Sequence, residues 1–97
     1  MRTIWKYELK VTDVQKLSLP IGAKVLFVGL QKENSFKSLN RIINLWASVD
    51  PSASREDRLF AVVGTGNPAP ELDQATYINS VFDGPFVWHV FEEIKND

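Results

Sequence analysis

Three short segments of this chain are apolar on both sides of an extended backbone, and they constrain the fold more than any other feature. Val25-Leu26-Phe27-Val28, Leu59-Phe60-Ala61-Val62-Val63 and Phe86-Val87-Trp88-His89-Val90-Phe91 are short and lack the alternation of a half-buried strand. In a monomeric antiparallel sandwich or barrel one face of each strand meets water, so a second apolar face needs a cover. Partial cover by the chain's own long loops is one solution. The other is a second copy of the chain, since burial contributes about 1.5–3 kcal/mol per large side chain and exposure would leave an aggregation-prone patch. The second solution predicts a homo-oligomer, most simply a twofold dimer.

The remaining segments fit the same all-β reading. Ile4 to Val11 places Trp5, Tyr7, Leu9 and Val11 on one side and Lys6, Glu8 and Lys10 on the other, the period of a strand. Gln15 to Leu19 follows, with Leu17 and Leu19 inward, and Pro20-Ile21-Gly22-Ala23 makes a turn. Lys24 to Gln31 is a strand and Lys32 to Ser35 a polar loop. Arg41 to Asp50 reads as a strand, although Phe36 to Leu45 also fits a helical turn through Leu39, Ile42, Ile43 and Trp46. Asp50 to Asp57 is a loop, Arg58 to Gly64 a strand, and Thr65 to Gln74 a second long loop. Asp83-Gly84 between Thr76–Phe82 and Pro85–Glu92 is a strong hairpin signal. The tail from Glu93 is polar and expected to fray. The expectation is a single domain over residues 1–97, a small antiparallel sandwich or partly open barrel of about six to seven strands.

Composition removes several function classes. Lys and Arg number 11 against 12 Asp and Glu, a net charge of −1, so there is no bulk basic field for a long nucleic acid. The absence of cysteine excludes disulfides, thiolate zinc sites and a cysteine nucleophile. Met1 to Glu8 lacks the apolar core of a signal peptide. No apolar run approaches the roughly 18 residues of a membrane helix, so the sequence reads as cytoplasmic, with no membrane partner.

Chemistry has few places to reside. His89 is the one histidine, and no local motif supplies it with an orienting partner and a nucleophile; a core or interface imidazole with its ring hydrogen-bonded is the plainer reading. The carboxylate pairs Glu56-Asp57 and Glu92-Glu93 are adjacent and so point to opposite faces of a strand. No metal, cofactor or enzyme activity is therefore expected. Gly64-Thr65-Gly66-Asn67-Pro68 is a loop whose amides suit an anion, without the lysine and helix of a P-loop. Arg55 and Arg58, with Lys37 and Arg41 further upstream, suit phosphate, and Trp46, Trp88 and Tyr77 could stack on a base. For each of these residues, surface charge or core packing is the simpler explanation; only their convergence would make a site.

Ile4-Trp5-Lys6-Tyr7-Glu8-Leu9, Leu45-Trp46-Ala47-Ser48-Val49-Asp50-Pro51, and Phe60 to Pro68 with Gly84-Pro85-Phe86-Val87-Trp88-His89-Val90-Phe91-Glu92 together resemble a family of small bacteriophage proteins of unknown function. The resemblance spans nearly the whole chain and is weakest from Gln31 to Asn44. It implies context rather than activity: a non-catalytic anti-defence factor that sequesters a cyclic or ADP-ribose-type nucleotide signal. The residues expected to hold such a ligand are Arg55, Arg58, Thr65, Asn67, Trp46, Trp88 and His89. Competing readings are a protein inhibitor of a host enzyme or defence complex, a virion accessory protein, and a phosphodiesterase using His89.

Overall fold

The computed structural model describes residues 1–31 and 42–94. Within them the chain forms seven strands and no helix: β1 (Thr3–Lys10), β2 (Val14–Pro20), β3 (Lys24–Gly29), β4 (Ile42–Val49), β5 (Arg55–Gly64), β6 (Ala75–Asp83) and β7 (Phe86–Glu93). They make two antiparallel sheets, ordered β1-β4-β3 and β2-β5-β7-β6. The sheets face one another as a sandwich rather than closing into a barrel. Leu9, Leu19, Val28, Ile43, Leu45, Val49, Phe60 and Val90 are fully buried between them. Each comes from one side of its strand, as the period of two requires.

Most expected boundaries hold within one or two residues. The extended alternative for Ile42 to Leu45 is the one adopted; residues 32–41, with Lys37 and Arg41, and the tail 95–97 lie outside the described residues. Pro20 ends β2 instead of opening the turn, which suits proline because β2 is an edge strand. The loop expected up to Asp57 is shorter. Arg55, Glu56 and Asp57 pair with Pro20, Leu19 and Ser18, so β5 starts three residues before the Arg58 expected. The β6–β7 register closes at Asp83↔Phe86, which makes Gly84-Pro85 the two-residue connection, with Gly84 at φ 59°.

Two β-bulges and one crossing loop explain why some strands look apolar on both faces. In β3, Val25 opposes Ala47 while Phe27 opposes Trp46, leaving Leu26 as the extra residue. Leu26 and Phe27 are consequently both exposed, on one strand, in succession. In β6 the extra residue is Ile78, between Tyr77↔Phe91 and Asn79↔Val90. β5 and β6 both run antiparallel to β7, so the connection 65–74 has to cross over β7. Ala61, Val63, Ala75 and Phe91, which alternate with core residues and so face outward, form a second buried cluster. Pro68, Ala69 and Pro70 line one cleft with Ala61 and Val63. Here the chain's own loop turns back beside the outward residues.

Candidate ligand-binding face

The outward face of the β1-β4-β3 sheet is where cations and aromatic rings meet. Directly opposed residues of an antiparallel pair point to the same side, and the register gives two adjacent rows there: Ile4–Ser48–Lys24 and Lys6–Trp46–Phe27. The Phe27 and Trp46 rings sit 6.3 Å apart, centroid to centroid, inclined by 29°. Phe27 is 55% exposed. Its ring lies across Gly29, where an added Cβ would meet Phe27 Cε2 at 2.8 Å. A glycine at this position is therefore what allows the ring to lie down on the sheet.

Three cations surround this pair. Arg2 is pinned by donating from Nε to Ser48 Oγ (3.0 Å) and from Nη2 to the carbonyls of Ser48 (2.8 Å) and Gly22 (3.0 Å). Lys6 Nζ donates to Gln31 Oε1 at 2.7 Å. All these partners are neutral, and among the described residues neither Arg2, Lys6 nor Lys24 has a carboxylate within ion-pair distance. The face thus combines aromatic surface for a base with three cations for a phosphate, while Glu8 stands in the next row, Glu8–Asn44–Gly29.

The seven residues expected to bind a ligand do not converge. Only Trp46 belongs to this face. Arg55 lies over the Trp5 ring at 5.5 Å and donates to the Ser18 carbonyl at 3.4 Å. Arg58 points between the sheets, where Nε and Nη2 engage both oxygens of Glu92 and Nη1 donates to the Ala23 carbonyl. Glu92 holds the guanidinium above its usual range against the opposing effect of burial. Arg58 thus makes a structural ion pair with Glu92 and a hydrogen bond to the β2–β3 turn.

Asn67 and Trp88 meet across Gly64, whose added Cβ would lie 3.0 Å from Asn67 Nδ2 and 3.1 Å from Trp88 Cζ3. They line a cleft of about 630 Å³ with the turn 11–14 and Pro68–Pro70. Its one ionisable lining group is Asp13, which disfavours a phosphate. A second cleft, about 480 Å³, sets Glu56, Asp57, Glu92 and Glu93 against Arg58 and is no better suited to an anion.

Thr65 and His89 do come together, on the outward face of the other sheet. His89 Nε2 lies 2.8 Å from Thr65 Oγ1 and Nδ1 lies 2.7 Å from Ser80 Oγ, which is itself 2.6 Å from the Tyr77 hydroxyl. The imidazole is half-buried with both nitrogens engaged, on an outer face and not in the core. Its partner Ser80 had no signal in the sequence. It is nine residues away, and the β6–β7 register that closes at Asp83↔Phe86 sets it opposite His89. Arg2, Lys6, Lys24 and Phe27 were missed for the same kind of reason: their grouping depends on strand pairing and on a bulge.

No helix among the described residues is long and apolar enough to cross a membrane. A family described as a domain of unknown function, DUF7352, matches residues 1–97. No curated protein and no solved structure matches the chain.

Proposed function

Because the chain belongs to the DUF7352 family, whose function is unknown, we propose its function from the Phe27–Trp46 face: a non-catalytic binding protein for a small nucleotide-type ligand. The base stacks on Phe27 and Trp46, and the phosphate sits among Lys6, Lys24 and Arg2. The observation that carries this reading is the row Lys6–Trp46–Phe27, flanked by Lys24 and the tethered Arg2. Stacking on an aromatic side chain contributes about 1–3 kcal/mol per base. A tethered arginine adds charge while losing little further rotamer freedom on binding.

The finer form of the proposal is sequestration in an infected bacterial cytoplasm: a phage protein that soaks up a cyclic or ADP-ribose-type immune signal as a homo-oligomer. The sequence resemblance to small phage proteins supports that context, and sequestration asks for tight binding without turnover. A protein inhibitor is the second reading, favoured by the exposed Leu26 and Phe27 on the same face, since aromatic side chains are enriched at protein interfaces.

Isothermal titration of the purified chain with AMP, ADP-ribose and a cyclic dinucleotide tests the proposal. At least one should bind, with affinity falling tenfold or more in Trp46→Ala and in Lys6→Ala/Lys24→Ala, and falling also as salt rises. If no nucleotide binds, or Trp46→Ala binds as wild type does, the face is not a nucleotide site. A host protein retained at fixed ratio by wild type and lost with Phe27→Ala would move the assignment to the inhibitor reading.

A further inference from the structure

On the opposite side of the molecule, away from the Phe27–Trp46 face, the arrangement around His89 has the parts of an activated hydroxyl. A nucleophile within hydrogen-bond reach of a base, the base in turn oriented by a third group, is the recurring signature of covalent catalysis. Ser80 Oγ stands 2.7 Å from His89 Nδ1, and Thr65 Oγ1 stands 2.8 Å from Nε2. With the imidazole proton on Nε2 and donated to Thr65, the Nδ1 lone pair is left to accept the Ser80 hydroxyl proton. The Tyr77 hydroxyl, 2.6 Å from Ser80 Oγ, fixes the serine from its other side.

Each part is held by regular structure. Ser80 and His89 are directly opposed on β6 and β7, and Val63 opposes His89 from β5. Thr65 is the first residue after β5, and its amide donates to the Val87 carbonyl at 3.3 Å. The register from the hairpin turn sets Ser80 opposite His89, and the extra residue Ile78 brings Tyr77 onto the same face. The approach is open and aromatic. β6 is an edge strand, and on the same face Tyr77 is 50% exposed and Phe82 75% exposed. These rings flank Ser80 and suit an electrophile with an aryl group.

We propose that Ser80 is a nucleophile activated by His89, which accepts the acyl group of an activated aryl ester. Ser80 Oγ forms a bond to the ester carbonyl carbon as its proton passes to His89 Nδ1. Thr65 Oγ1 accepts from Nε2–H and steadies the imidazolium so formed. The adduct collapses with cleavage of the carbon–aryloxy bond, and the proton on Nδ1 transfers to the departing aryloxide. The products are an O-acylated Ser80 and a phenol; nothing is oxidised or reduced. One acylation per chain satisfies the proposal, so it stands whether or not the chain turns over. Thr65 is a positioning residue in this scheme.

The test is labelling of the full chain with an aryl-tagged fluorophosphonate, which transfers phosphorus to a nucleophilic serine with loss of fluoride. Wild type should gain one tag, mapped to Ser80 by peptide mass spectrometry. Ser80→Ala should abolish the tag, and His89→Gln should slow its uptake by about 10²–10⁴-fold, the usual contribution of a positioned base. Thr65→Val should slow it less and Thr65→Ser restore it, which a purely structural threonine would not do. Thermal unfolding of each variant establishes that it is folded. No tag on Ser80 in the folded wild type, or a rate on Ser80 unchanged in folded His89→Gln or Thr65→Val, overturns the proposal.

Discussion

At the scale of single residues, two side-chain carboxamides hold the two sheets together at their rims. A sheet edge presents backbone N–H and C=O groups in need of partners. Asn79 Oδ1 accepts from the Val28 amide at 3.1 Å while its Nδ2 donates to the Val28 carbonyl at 2.9 Å, joining β6 to β3. Gln15 does the same to Lys10 on β1, at 2.8 and 2.7 Å. Each amide reproduces one rung of a ladder where no strand is available. Val28 is fully buried, so Asn79→Leu strands a donor and an acceptor away from water and should cost about 1–3 kcal/mol. Gln15 serves an exposed residue, and Gln15→Leu should cost less, about 0.5–1 kcal/mol. Urea unfolding of both variants checks this order; equal losses would mean that burial does not set the value of the clamp.

At the scale of elements, the β3 bulge determines whether the aromatic face exists. It rephases the strand so that Phe27 joins Trp46 on the outside while Val28 stays in the core. Gly29 then decides whether the Phe27 ring can lie flat. Gly29→Ala should therefore swing the ring away at little cost to stability, because the contact is with the far end of a mobile side chain. Nucleotide affinity should fall several-fold while the urea midpoint stays within about 0.5 kcal/mol of wild type; unchanged affinity would show that the ring's pose does not matter. The sequence made β1 legible through its alternation, and the last hairpin through Asp83-Gly84. It could not show the bulges, because an extra residue in a strand has no composition of its own. Val25 to Val28 accordingly looked apolar on both faces when two successive residues simply point outward. Leu59 to Val63 looked the same because the connection that leaves β5, residues 65–74, turns back beside the outward Ala61 and Val63, which are buried. The candidate site suffered most: seven residues chosen by chemical type lie in separate places, since proximity is a property of register and not of type.

At the scale of the whole molecule, the fold is a slab. Its Cα extents are 39 × 33 × 17 Å, and the smallest is close to what two sheets about 10 Å apart require. A two-layer slab offers broad outer faces and clefts at its rims, with no third layer to enclose a ligand. Tight small-molecule sites bury about 70–90% of their ligand, which the open Phe27–Trp46 face does not do by itself. A second copy laid over that face would complete the enclosure and also cover Leu26 and Phe27, the outward pair that the crossing loop does not reach. The apolar argument for an oligomer is thus narrower than the sequence suggested, since the outward Ala61, Val63 and Phe91 are buried, and it now concerns Leu26 and Phe27 on one sheet and Tyr77 and Phe82 on the other. The expected outcome is an oligomer by sedimentation velocity at tens of micromolar, dissociated by Phe27→Glu and left intact by Phe82→Glu on the opposite sheet. A wild-type monomer under those conditions rejects the oligomer. Dissociation by Phe82→Glu alone would instead place the contact on the His89 side, and nucleotide affinity would then have to be explained by the open face without help from a second chain.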